Sequence, residues 1–131
     1  MMRKLGVIAA AASLAACGAK AGTLSPTFVG LWAADTAACQ DAESDARLDV
    51  TANRLVFYEW GGDVTGIRRS TQSVTHIELD WWDVSDTDQN DVPIIRQKKA
   101  EMSVSSDRSA LTLKIDVEAP QTYVRCTRNR L

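Results

Sequence analysis

Histidine occurs once in this chain, at His76, and that scarcity removes several chemistries at the outset. A nucleophile–histidine relay and a histidine-based zinc site both need partners that are absent here. Past residue 16 there is no apolar run long enough to cross a bilayer core of roughly 30 Å as a helix. Basic residues are not in excess either. Lys and Arg number 15 against 17 Asp and Glu, a net charge of −2, which argues against a nucleic-acid partner. Outside the first sixteen residues no segment repeats its apolar positions with a helical period. Cysteine is sparse, at Cys17, Cys39 and Cys126, and an odd number must be explained.

The N-terminus explains it. Arg3 and Lys4 precede an alanine-rich apolar run from Leu5 to Ala12, then Ser13 and Leu14-Ala15-Ala16-Cys17. This is the layout of a secretory signal, with a basic start, an apolar middle and small residues before a cut. Its ending resembles the lipobox of bacterial lipoproteins. The resemblance implies that residues 1–16 are a signal peptide and that Cys17 becomes a lipidated first residue. Several acyl chains hold a protein firmly to a membrane, whereas one holds it marginally. Gly18 rather than aspartate after the cysteine implies, by analogy with the enterobacterial sorting rule, a periplasm-facing outer-membrane lipoprotein. Residues 17–27 then read as the lipidated end and a flexible tether, and residues 28–131 as one domain. Without residues 1–16 the chain has 115 residues. The loss of Arg3 and Lys4 leaves 13 basic against 17 acidic, or −4. With Cys17 taken by lipid, Cys39 and Cys126 are left in an oxidising compartment and are expected to pair.

The domain reads as strands almost throughout. Segments with alternating or β-forming residues are Phe28–Ala33, Ala46–Val50, Arg54–Trp60, Val64–Arg69, Ser73–Val84, Pro93–Val104, Leu111–Val117 and Gln121–Arg125. Thr51-Ala52-Asn53, Gly61-Gly62-Asp63 and Ser105–Ser109 read as turns between them, and Ser85–Asp91 as a polar loop. Short connections favour a meander, and closing the meander hides both edges. The expected fold is all-β, an antiparallel up-and-down eight-stranded barrel. A two-sheet β-sandwich is the alternative.

Phe28-Val29-Gly30-Leu31-Trp32 resembles the Gly-x-Trp motif on the first strand of lipocalin-like (calycin) barrels. That resemblance implies that Trp32 plugs one barrel end and that an arginine of the last strand, Arg125 before Arg128, packs over it. A guanidinium on an indole gains about 0.5–2 kcal/mol. No second lipocalin motif is present, and there is no room for a C-terminal helix.

No constellation points to catalysis, so the chain is expected not to be an enzyme and to need no cofactor or metal. His76, Glu78 and Asp80 share one face of a strand and read as solvated. Asp86, Asp88 and Asn90 resemble the start of a calcium loop. However, Asp91 stands where the turn needs glycine and Gln97 where a bidentate glutamate is needed. The aromatic residues Tyr58, Trp60 and Trp82 are the candidate binding surface, with Trp81 facing the core instead. Arg68, Arg69, Arg96, Lys98 and Lys99 form a basic cluster that reads as solvated. Two functions stay open, of which the first is the main expectation and the second the alternative. One is a protein-interaction or inhibitor-like module in the cell envelope. The other is binding of a small hydrophobic ligand or envelope lipid. A pocket of roughly 300 Å³ or more favours the ligand, and a filled interior favours surface recognition.

Overall fold

The structure is a computed structural model and describes residues 22–127. Eight strands run in chain order: β1 Gly30–Ala33, β2 Arg47–Val50, β3 Arg54–Val56, β4 Trp60–Ser70, β5 Val74–Asp83, β6 Arg96–Val104, β7 Ala110–Ile115 and β8 Gln121–Arg125. Each pairs antiparallel with the next, and β8 returns to β1 through Trp32↔Arg125 and Ala33↔Val124. The sheet is therefore a closed, small lipocalin-like barrel, and the sandwich alternative is excluded. Closure leaves no edge strand unpaired.

Alternation along the strands fills the barrel. On β5 the inward residues are Thr75, Ile77, Leu79 and Trp81, and on β7 they are Leu111, Leu113 and Ile115. Leu48, Val50, Leu55, Phe57 and Met102 complete the middle of the core. Thr75 is the one buried polar side chain on β5, and its hydroxyl donates to the Arg69 carbonyl at 3.1 Å. Register shifts in β4 at Val64/Gly66 and Ile67/Arg69 bend this long strand around the barrel.

Three local readings change. The hairpin between β3 and β4 turns at Phe57–Glu59, where the Phe57 amide donates to the Trp60 carbonyl at 2.8 Å. Gly61 and Gly62 lie inside β4 because there is no space for a Cβ. At Gly61 it would sit 2.6 Å from the Leu55 carbonyl oxygen and 2.7 Å from the Trp82 ring. At Gly62 it would press on Leu79 and Trp81 at 3.2 Å. Strand β6 starts at Arg96 rather than Pro93. Strand β7 ends at Ile115, because Asp116 adopts a positive φ of 48° and turns Val117 out to solvent.

The tether is also shorter than expected. Leu24 is 3% exposed within the core, and its amide donates to the Ala52 carbonyl at 2.7 Å. Thr27 is buried too and donates to the Gln72 carbonyl. An apolar leucine in reach of the barrel end packs there instead of staying in water. Residues 1–16 and Cys17 lie outside the described residues, as does Arg128.

Candidate functional site

The two barrel ends are built differently. At one end lie the turns after β2, β4 and β6, together with Leu24 and Phe28. Trp32 is fully buried there and donates its indole N–H to the Phe28 carbonyl at 2.9 Å. The Arg125 guanidinium lies 4.0 Å from the Trp32 ring centroid. It donates to the carbonyls of Thr27 at 2.7 Å, Val29 at 3.1 Å and Arg108 at 2.9 Å. Burial and the nearby Arg108 charge both lower the Arg125 pKa. Gly30 has φ +145°, and a Cβ on it would meet the Arg125 guanidinium at 2.9 Å. Glycine, tryptophan and arginine together seal this end.

The disulfide lies on the outer wall beside the same seam. Cys39 and Cys126 are bonded, with Cα atoms 5.5 Å apart. The short 3-10 turn Ala38–Gln40 brings Cys39 back, and Ala33, Ala38 and Cys126 form a small separate apolar cluster. The bridge therefore fastens the long β1–β2 connection to the end of β8.

At the other end the barrel opens into a cup of about 370 Å³. Phe57 forms its floor, with ring centroids 5.7 Å from Trp60, 6.1 Å from Trp81 and 6.4 Å from Tyr123. Each ring is placed by its strand: Trp60 starts β4, Trp81 faces inward near the end of β5, and Tyr123 faces inward from β8. Burial raises the Tyr123 pKa, so the phenol stays neutral. The polar lining is Asp45, Asp83, Lys98, Glu118 and Gln121. The Lys98 ammonium sits 5.0 Å from the Trp81 ring centroid. Hydrogen bonds from the Ser85 hydroxyl and amide, at 2.6 and 2.8 Å, hold the Asp83 pKa below its usual value.

The structure separates the three aromatics read as one surface. Trp60 enters the cup. Tyr58 is 52% exposed at the tip of the β3–β4 turn on the rim. Trp82 lies on the outer wall, its six-membered ring against Gly61. Phe57, Trp81 and Tyr123, unassigned to any site by the sequence, make up the rest of the cup.

The other candidates lie apart. His76 Nδ1 is 3.8 Å from Glu101 on the outer wall, and Glu78 is paired with Arg68 at 2.6 Å. In the acidic loop, Asp86 pairs with Arg96 at 2.6 Å, and the Asp88 carboxylate accepts from the amides of Asn90 and Val92. Those side chains are committed to the loop itself. Among the described residues no cluster of three His, Cys, Asp or Glu side chains is placed to hold a metal, and no helix is long and apolar enough to cross a membrane. No protein family matches the chain, and neither a curated protein nor a solved structure matches it.

Proposed function

We propose that the protein is a non-catalytic, lipid-anchored binding module of the bacterial envelope that holds a compact ligand in the open end of its barrel. The observation that carries this reading is the difference between the ends. One is sealed by Trp32 and Arg125, and the other opens into an aromatic cup of about 370 Å³. That volume is within the range of small-ligand sites. The core is filled beneath Phe57, so the occupant is a compact group and not a long chain threaded through the barrel.

The proposed anchor adds an orientation for the cup. The chain enters the barrel at the sealed end, through Leu24. Seven residues from Cys17 to Leu24 span at most about 25 Å. A lipid on Cys17 therefore holds the sealed end near the membrane and turns the cup away from it.

A second reading, recognition of an envelope protein, rests on the rim. Tyr58, Val84, Val92, Ile94 and Ile95 are all exposed in the β3–β4 turn and the β5–β6 loop. The two segments are joined by a 3.0 Å hydrogen bond from the Val84 amide to the Glu59 carbonyl.

Native mass spectrometry of the chain purified from envelope tests the cup. The wild type is expected to carry a small adduct, and Ala119→Trp, which fills the cup, is expected to lose it. No adduct, together with enrichment of one protein partner that depends on Ile95 and Tyr58, overturns the ligand reading in favour of the rim.

A further inference from the structure

The composition of the cup indicates what charge its occupant carries. Four aromatic side chains, Phe57, Trp60, Trp81 and Tyr123, line one cavity. Three carboxylates, Asp45, Asp83 and Glu118, line it against one ammonium, Lys98. None of these three carboxylates forms an ion pair within 4.0 Å among the described residues. Lys98 forms none either, and its ammonium lies over the Trp81 ring instead. A side chain that could reach water is folded onto an indole face, within the roughly 6 Å at which a cation and a ring attract. The cup already holds one cation, supplied by the protein.

Resting on the reading of the cup as a ligand site, we infer that its ligand is a small organic cation, a primary or quaternary ammonium compound. Such a cation meets the rings through its charged head, and the excess of three carboxylates over one ammonium favours it at the mouth. Lys98 competes for the Trp81 face. It swings out when a ligand enters, and its departure lowers the affinity of the site for any cation by the strength of the contact it gives up.

The test is a titration of the purified full chain, followed by tryptophan fluorescence and by melting temperature. The probes are tetramethylammonium, choline and 3,3-dimethylbutan-1-ol, the neutral carbon counterpart of choline. Choline is expected to bind at least about tenfold more tightly than its neutral counterpart. Lys98→Met is expected to bind choline about threefold or more tightly than the wild type, and Asp83→Asn more weakly. Lys98 is on the wall of the cup and outside the packed core, so its replacement leaves the fold intact. If the neutral alcohol binds as well as choline, the cation inference falls while the cup remains a ligand site. If Lys98→Met weakens choline binding, Lys98 is a contact and not a competitor, and the inference falls. If no probe changes either signal up to tens of millimolar and the purified chain carries no adduct, both the inference and the ligand reading fall.

Discussion

Arg125 and Trp32 face each other across the seam where the barrel closes. Their backbones are paired between β1 and β8, and the guanidinium lies 4.0 Å from the indole centroid. The same guanidinium donates to three carbonyls, two in the entry segment before β1 (Thr27 and Val29) and one in the β6–β7 turn (Arg108). One side chain thus joins the entry segment, the first strand and the β6–β7 turn.

Arg125→Met is expected to cost about 2–4 kcal/mol, because the ring contact goes and the carbonyls lose a charged donor. Arg125→Lys recovers only part of it, since an ammonium on a flexible stem does not reproduce the planar fork. Urea denaturation of both variants measures the difference. Equal stability of wild type and Arg125→Met would show that the seam closes without this contact.

Gly30→Ala is expected to destabilise by about 1–3 kcal/mol, from the positive φ and the approach of the Arg125 guanidinium. Gly61→Ala is expected to cost about 2–3 kcal/mol for a different reason: its Cβ meets the Leu55 carbonyl, and backbone cannot step aside as a side chain can. Thermal melts read both. An unchanged melt for Gly61→Ala would place that glycine in a turn, with room beside it.

The Cys39–Cys126 bridge closes a loop of 87 residues. The chain-entropy model assigns it about 4–5 kcal/mol. Cys39→Ser is expected to lose that amount in denaturant titration. Reduction of the wild type is expected to reproduce the loss, and no change on reduction would contradict it.

Asp107 carries the clearest pH signature. Hydrogen bonds from the hydroxyls of Ser105 and Ser109, and from the Ser109 amide, lower its pKa from 3.8 to about 2. A depressed carboxyl pKa in the folded state stabilises above the unfolded value. That contribution is complete above about pH 4 and is lost as pH falls toward 2. Carbon NMR of the Asp107 carboxyl across this window is expected to titrate near 2, and Ser109→Ala is expected to move it upward. A midpoint near 4 in the wild type would contradict the turn geometry.

Much of the barrel is legible in the sequence because alternation is a local property. Ile77, Leu79 and Trp81 face inward by simple period-two counting, and so do Leu111, Leu113 and Ile115. The sealed end is legible through Gly30-Leu31-Trp32. The cup is not, because it depends on where the β3–β4 hairpin turns. Phe57-Tyr58-Glu59 carries no glycine, proline, asparagine or aspartate to announce a turn, whereas Gly61-Gly62 does. Those glycines are needed for closeness and not for backbone conformation, which only the neighbouring strand and the Trp82 ring reveal. Placing the turn at the glycines joins Trp60 to Tyr58 and hides its partnership with Phe57, Trp81 and Tyr123. Leu24 is missed for a similar reason, since a lone leucine among small and polar residues gives no periodic signal.

The four tryptophans provide the most direct test of the account, because each reports on a different place. Trp60 and Trp81 line the cup, Trp32 is in the sealed end and Trp82 is on the outer wall. Their four indole N–H signals can be followed by NMR while envelope small-molecule extract is added to the nitrogen-15-labelled chain. The account predicts shifts for Trp60 and Trp81, with Trp32 and Trp82 unmoved. Shifts at Trp82 or Trp32 with Trp60 and Trp81 unmoved would contradict it.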